Sequence, residues 1–285
     1  MTELRAPATD VSGHRSAVGA PGLAVEVATW RPVEVVEVDG WRLGLSGGFT
    51  RRGNSVAAID APADPDAALD RVERIYAARG QRAVVRVCGQ SAPAGLDGML
   101  ESRGYAAVAP TAVMAARLGA PGAGWDAAGD ADPTRAAAAP ADPVGAGPVR
   151  VASRTEPDVP WLRGWLDVKA SSDVDLDLAA QLLAGVPARC FAAVGDGSGA
   201  SPDGVLGVIR VALAHGWAAL SCLTVRPEAR RRGLGAMLTR SALGWAAQAG
   251  ADRAFLQVEV TNVAAVELYA GLGFEVVDRY HYRER

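Results

Sequence analysis

The amino-acid sequence predicts an α/β protein built from two similar halves that are joined by a linker. In the second half, short segments rich in β-branched and aromatic residues alternate with segments of helical period, which is typical of helices packed on a sheet. Each half also ends on the same succession of strand, helix, glycine, aromatic residue and strand, centred on Gly104-Tyr105 and Gly273-Phe274. Between the halves, residues 119–148 consist almost entirely of Ala, Gly, Pro and Asp.

These features divide the chain into four segments. Residues 1–22 are polar and broken by prolines, so we expect a disordered tail. Residues 119–148 carry too little apolar surface to offset the entropy lost on ordering, so we expect a flexible linker. The two domains are then residues 23–118 and residues 149–285.

The elements of the second domain follow from hydrophobic period and turn residues. Strands are predicted at 149–156, 190–194, 205–212, 217–225, 254–260 and 275–282. Helices are predicted at 161–169, 176–184, 234–249 and 263–270. The third helix is the clearest, because Met237, Leu238, Ala242 and Trp245 follow helical spacing and Gly250 stands where the helix should end.

Composition excludes several classes of function. The net charge is −3, so there is no overall excess of positive charge for binding nucleic acid. The three cysteines are widely spaced and odd in number, which indicates reduced thiols, and neither they nor the three histidines have a metal-binding spacing. No segment matches a signal peptide or a membrane span of about 20 apolar residues. We expect a cytoplasmic protein without a metal and without nucleic-acid or membrane partners; the oligomeric state stays open.

The segment RPEARRRGLGAML, residues 226–238, is typical of a loop that binds phosphate. Gly233 and Gly235 lie where a helix begins, although each costs up to about 1 kcal/mol relative to alanine inside a helix. Glycine lets the backbone approach a ligand, and a helix N-terminus attracts anions. A Walker A loop is excluded because the only lysine is Lys169, and the dinucleotide fingerprint because Leu238 stands where its third glycine is needed.

Two motifs resemble those of the GNAT superfamily of N-acyltransferases. Arg230 to Gly235 is similar to its acyl-CoA loop, Arg/Gln-x-x-Gly-x-Gly/Ala, and Asn262 to Phe274 is similar to its second signature, N-x-x-A-x-x-L-Y-x-x-x-G-F. The resemblance covers residues 149–285 and implies a mixed sheet, flanked by helices, that opens at a bulge in the strand before residue 226. The tandem layout is similar to that of mycothiol synthase.

The resemblance also implies how acetyl-CoA binds. Backbone groups of Leu223 and Val225 would pair with the pantetheine arm, and the amides from residue 231 to residue 236 would hold the pyrophosphate. The residues expected to contact acetyl-CoA are Leu223, Thr224, Val225, Arg230, Arg231, Arg232, Gly233, Leu234, Gly235, Ala236, Asn262 and Tyr269.

Two of these residues have further candidate roles. Tyr269 is the expected general acid: in the family the equivalent tyrosine lies near the CoA sulfur, and a phenol with an ordinary pKa near 10 is protonated at neutral pH. The alternative is a tyrosine that only packs in the core. Asn262 is expected either to contact the cofactor or to cap the following helix.

The general base is less well defined. Glu259, on the strand that leads to Asn262, is the first candidate. Asp173, Asp175 and Asp177 are candidates for binding the ammonium group of an acceptor, His281 has a suitable intrinsic pKa, and a chain of water molecules is a further alternative. We expect Cys222 to be a buried small residue, because no histidine partner is evident.

The first domain lacks the glycine-rich helix start and has Leu100 at the position that matches Tyr269. Its segment from Gly47 to Ser55 is interpreted as part of a β-hairpin whose loop faces a ligand. We therefore expect a degenerate first GNAT-like domain and a second domain that transfers an acetyl group from acetyl-CoA to a primary amine. The alternative hypothesis is an acyl-CoA-binding regulatory module without turnover.

Overall fold

The structure is a computed structural model that describes residues 18–119, 149–168, 174–195 and 204–285. Most of the tail and of the linker therefore lies outside the described residues, as does Asp173. The division of the chain into two domains stays a prediction. Below, residues 18–119 are called the first half and residues 149–285 the second half.

The first half has three helices and five strands, in the following order: α1 (Leu23–Thr29), β1 (Glu34–Val38), β2 (Trp41–Leu45), β3 (Val56–Ala58), α2 (Pro65–Ala77), β4 (Val84–Cys88), α3 (Leu96–Ser102) and β5 (Ala106–Arg117). Strands β2 and β3 are antiparallel, which confirms the predicted hairpin. The side chain of Asn54 orders the connection between these strands. It is buried and accepts hydrogen bonds from the backbone nitrogens of Ser46, at 2.7 Å, and Gly48, at 2.9 Å.

The described part of the second half runs in the following order: β6 (Arg150–Arg154), α4 (Val159–Leu166), α5 (Leu176–Ala184), β7 (Arg189–Gly195), β8 (Val205–Ala214), β9 (Trp217–Val225), a 3₁₀ turn (Pro227–Ala229), α6 (Leu234–Gln248), β10 (Arg253–Glu259), α7 (Val263–Ala270) and β11 (Glu275–Glu284). The predicted bounds of α5, β9 and α7 are confirmed to the residue, and those of the other elements to within a few residues.

All the described strands form one sheet of 11 strands, in the order β1-β2-β3-β4-β11-β5-β10-β9-β8-β7-β6. This order interlocks the halves. Strand β5 of the first half lies between β10 and β11, and β11 of the second half lies between β4 and β5. Each half therefore contributes its last strand to the middle of the other, so neither half has a complete sheet of its own.

The repeated sequence pattern at the end of each half forms the same local structure. Gly104 and Gly273 have φ of 83° and 84°, in the left-handed region that favours glycine. The next aromatic residue then donates a backbone hydrogen bond of 3.0 Å, from Tyr105 to Leu100 in one half and from Phe274 to Tyr269 in the other. Leu100 and Tyr269 are thus structurally equivalent, as the sequence predicts.

Helices on both faces of the second half bury its sheet. Helix α6 packs on β7, β8 and β9, and its apolar residues join a core with those strands and with β10. The opposite face is covered by α4, α5 and the first-half helix α1, which packs on β8 and β9. Phe49, from the β2–β3 connection, also reaches this face and contacts Trp165 edge to face, with ring centroids 5.4 Å apart.

Candidate active site

The two parallel strands at the centre of the second half separate part of the way along their length. Strands β9 and β10 are paired from Trp217 and Arg253 to Leu220 and Leu256, and beyond those residues they are no longer paired. At the point of separation β9 carries a bulge: Cys222 has φ of 58°, and the register between β8 and β9 shifts. This confirms the predicted opening of the sheet before residue 226. We call the space between the separated strand ends the cleft.

Beyond Leu220, the backbone of β9 on the side of the cleft is not paired with another described strand. The backbone nitrogen of Arg226 donates to the carbonyl of Leu206 on the opposite side, at 2.9 Å. Backbone groups alternate in direction along a strand, so those of Val225 and Leu223 point away from β8 and towards the cleft. The backbone of Thr224 instead faces β8, where it is paired with Val208, and its buried hydroxyl donates to the carbonyl of Gly164 in α4, at 3.1 Å.

The glycine-rich loop turns sharply into α6. Arg231 and Gly233 have positive φ, 63° and 76°, and Gly233 is the N-cap of the helix. Gly233 provides no side chain to cap the helix, and no acidic residue lies in the first turn. The first bond in the helix runs from Met237 to the carbonyl of Gly233, so the backbone nitrogens of residues 234–236 have no partner four residues back. Such a helix start, with its positive dipole end, favours an anion.

The arginines beside this loop lie in different places. Arg230 is exposed and turns back onto β9, where its Nε donates to the carbonyl of Val225 at 3.1 Å. Arg231 is exposed, and Arg232 is half-buried.

A Cβ added at Gly235 would lie 3.3 Å from Cδ2 of Leu268, so this glycine keeps α6 and α7 close together.

The equivalent helix of the first half begins in a different way. Helix α2 follows β3 as α6 follows β9, but its N-cap is Asp64, whose carboxylate accepts from the backbone nitrogen of Ala67 at 3.0 Å. Asp66 adds a second negative charge in the first turn, and Pro65 removes one backbone donor. The N-terminus of α2 therefore already holds a carboxylate, whereas no side chain caps that of α6.

Tyr269 lies at the end of α7 with only 7% of its surface exposed. Its ring packs edge to face against Phe274, with centroids 5.9 Å apart. Burial raises the pKa of Tyr269, and Cys222 at the β9 bulge raises it further. No hydrogen bond of its hydroxyl to another described residue is present, so the phenol is a protonated donor beside the bulge.

Asn262 and Glu259 lie on the segment that joins β10 to α7. Oδ1 of Asn262 accepts from the backbone nitrogen of Ala265 at 3.3 Å, which makes Asn262 the N-cap of α7, one of its two expected roles. Glu259 is the last residue of β10, is exposed, and lies opposite Thr111 of β5. Of the described candidate bases, Glu259 is the one on a strand that borders the cleft.

His281 and Asp175, two of the other titratable candidates, have local partners. Nε2 of His281 contacts Oδ1 of Asp97 in α3 at 2.9 Å, and Nε of Arg283 donates to the same oxygen at 2.7 Å. Arg283 and then His281 lower the pKa of Asp97. Asp175 caps α5 by accepting from the backbone nitrogen of Asp177 at 2.8 Å.

Helix α1 contributes a buried carboxylate that the sequence alone does not predict. Its residue Glu26 has a side chain only 3% exposed that accepts from Nη2 of Arg86 in β4, at 2.6 Å, and from Nε2 of Gln257 in β10. Gln257 is the first residue of β10 beyond its last β9 partner. A helix of only seven residues that follows a polar, tail-like segment has too short a hydrophobic period to be predicted from the sequence. The one indication in the sequence is a carboxylate within an apolar run.

Among the described residues, no helix is long and apolar enough to cross a membrane, and no three potential ligands are grouped to hold a metal ion.

Comparison with solved structures shows the same fold in other proteins. A GCN5-related N-acetyltransferase from Kribbella flavida superposes with a TM-score of 0.59 at 19% identity, over 93% of this chain and 96% of that one. A tandem GNAT protein from the clavulanic acid biosynthesis pathway superposes with a TM-score of 0.54 at 18% identity, over 77% of this chain and 69% of that one.

Sequence relatives match shorter stretches. An uncharacterized N-acetyltransferase, YobR of Bacillus subtilis, is 41% identical over 73 residues, which are 26% of this chain and 30% of the relative. The mycothiol acetyltransferase of Tsukamurella paurometabola is 37% identical over 99 residues, 33% of this chain and 34% of the relative. The chain thus covers about a third of each of these relatives.

One family model covers nearly the whole described chain. The model described as "Probable histone acetyltransferase Rv0428c C-terminal" matches residues 24–283, across both halves of the interlocked sheet. The match spans far more than half of the chain and establishes the family, and the structures above share its fold. The chain belongs to the Rv0428c C-terminal acetyltransferase family.

Proposed function

We propose that this protein transfers an acetyl group from acetyl-CoA to a primary amine in the cleft of its second half. The observation that carries the proposal is the start of α6, whose N-cap has no side chain, at the point where β9 and β10 have separated. Its backbone donors suit a pyrophosphate, and the free edge of β9 suits the amides of a pantetheine arm.

The residues around the cleft supply what the reaction requires. The amine attacks the thioester carbonyl, a C–N bond forms, the C–S bond breaks, and the CoA sulfur takes up a proton. Tyr269 is the proposed donor of that proton, because it is buried, protonated and beside the bulge. Glu259 is the proposed acceptor of the proton that the amine loses, directly or through water.

An acceptor screen tests this function. Purified protein is incubated with acetyl-CoA and pools of primary amines, including lysine-containing peptides because the family description names a histone acetyltransferase, and release of free thiol is measured. We expect thiol release that depends on one or a few amines and that yields the N-acetylated product by mass spectrometry. Tight binding of acetyl-CoA without amine-dependent thiol release would instead favour the non-catalytic acyl-CoA-binding module.

A further inference from the structure

A small cavity lies where α1 of the first half meets β10 of the second half. It has a volume of about 40 Å³, and its walls include Glu26, Trp30, Arg52, Arg86, Gln257 and Tyr282. A single water molecule needs about 10–15 Å³ by the same measure, so the cavity has room for about three atoms of that size. It is therefore large enough for a carboxylate.

The walls of this cavity carry an excess of hydrogen-bond donors. Nε1 of Trp30 and Nε of Arg86 are buried and have no partner in the structure. Their side chains are not peripheral, since Trp30 is 7% and Arg86 is 6% exposed. Because an unpartnered buried donor costs about 1–3 kcal/mol, two of them beside one cavity indicate an acceptor there, either a water molecule or an anion.

The cavity also has a net positive charge. Arg86 is paired with Glu26, and Arg42, on the rim, with Glu37. Arg52 is half-buried and has no carboxylate partner among the described residues; its Cζ lies 4.8 Å from the centroid of the Trp30 ring. Among the described residues, one cation of the cavity is therefore left without a counterion.

A second cation lies against the same indole ring. Arg210 of β8 is completely buried, and its Cζ is 5.2 Å from the Trp30 centroid. Its Nε donates to the carbonyl of Leu183 and its Nη1 to that of Thr29, but its Nη2 has no partner. Burial lowers the pKa of Arg210 to about 10, a value to which the positive charge of Arg52 contributes. A negative charge beside Trp30 would offset this repulsion.

We propose that this cavity binds the carboxylate of the acceptor, so that the acceptor is a small amine that also carries a carboxylate. The proposal rests on the acetyl transfer proposed above. Gln257 links the cavity to the cleft, because it lines the cavity and is also the first residue of β10 beyond its pairing with β9. Glu259, the proposed base, lies two residues further along β10, at a distance of about 7 Å along the strand. An amine separated from its carboxylate by a short spacer would therefore reach the cleft.

The test has two parts, and the first needs no turnover. The dissociation constant of ¹³C-formate is measured by NMR with the wild-type protein, Arg52→Gln, Arg52→Lys and, as a matched control, Arg71→Gln on the exposed surface of α2. We expect Arg52→Gln to weaken formate binding about 10- to 100-fold, Arg52→Lys to restore part of it, and Arg71→Gln to leave it unchanged. Equal formate binding by all four proteins would overturn the carboxylate site, whether or not the protein acetylates any amine.

The second part compares matched acceptors by thiol release: ω-amino acids of increasing length against alkylamines of the same length. We expect the amino acids to have at least a tenfold higher kcat/KM, and Arg52→Gln to raise their KM while leaving the alkylamines unaffected. If formate binding depends on Arg52 but the two series react equally, the site does not serve the acceptor and the proposal is wrong. If formate binding depends on Arg52 and no amine reacts, the proposed acetyl transfer fails while the carboxylate site stands.

Discussion

Tyr269 and Leu100 occupy equivalent positions in the two halves, each accepting a 3.0 Å backbone hydrogen bond from the aromatic residue that follows its helix. The second half thus presents a phenol at a position where the first half presents only an alkyl group. The same contrast holds at the preceding helix, where Gly233 leaves the start of α6 uncapped and Asp64 fills the start of α2. Both differences support the proposal that acetyl-CoA binds in the second half.

The substitution Gly235→Glu should abolish acetyl-CoA binding without unfolding the protein. It places a carboxylate among the first backbone donors of α6, where it repels the pyrophosphate and blocks its approach. The matched control is Gly244→Glu in the same helix, since a Cβ there would meet no atom within 4 Å. Calorimetry should detect acetyl-CoA binding by the control and not by Gly235→Glu. Wild-type affinity in Gly235→Glu would show that the start of α6 is not part of the acetyl-CoA site.

Gly233→Ala should lower stability, whereas Gly244→Ala in the same helix should raise it. Alanine at a φ of 76° costs about 1–2 kcal/mol, because the left-handed region is strained for residues with a Cβ. In the interior of α6 the same substitution gains up to about 1 kcal/mol in helix propensity. Urea unfolding should therefore shift the midpoint in opposite directions for the two variants. A shift in the same direction would mean that the left-handed N-cap is not maintained in solution.

Tyr269→Phe should leave acetyl-CoA affinity unchanged and reduce turnover about 10²–10⁴-fold, the scale of general acid catalysis. Because burial raises the pKa of Tyr269, the phenol keeps its proton at pH values where an ordinary tyrosine, with a pKa near 10, begins to lose it. The kcat of the wild-type protein should therefore show no decline from loss of this proton up to about pH 10. Wild-type turnover in Tyr269→Phe would show that Tyr269 has only a structural role.

Much of the site could be predicted from local sequence. The start of α6 at Gly233 and the Asn262 cap depend on a few adjacent residues, and the structure has both. The bulge in β9, which the structure also has, is implied by the resemblance to the GNAT superfamily. The exchange of β5 and β11 could not be predicted, because strand pairing is decided by contacts far apart in sequence. The same holds for Glu26, since its partners Arg86 and Gln257 lie on two separate strands.

Glu26→Gln should destabilise the protein by about 3–5 kcal/mol, because it leaves the buried charge of Arg86 without its counterion. The double variant Glu26→Gln/Arg86→Met removes both charges and should recover part of that loss. Chemical unfolding measures the free energy of unfolding of the single and the double variant. A loss below about 1 kcal/mol in the single variant, as is common for surface pairs, would mean that the pair does not hold α1 to the centre of the sheet.

Titration of the acetyl-CoA-free protein with acetyl-CoA in a calorimeter tests the central claim most directly, because it counts the sites in each chain. The start of α2 already holds the carboxylate of Asp64, and the start of α6 is uncapped, so we predict one equivalent of acetyl-CoA bound per chain. That site should be lost in Gly235→Glu. Two equivalents per chain, or one equivalent that persists in Gly235→Glu, would contradict the assignment of acetyl transfer to the second half.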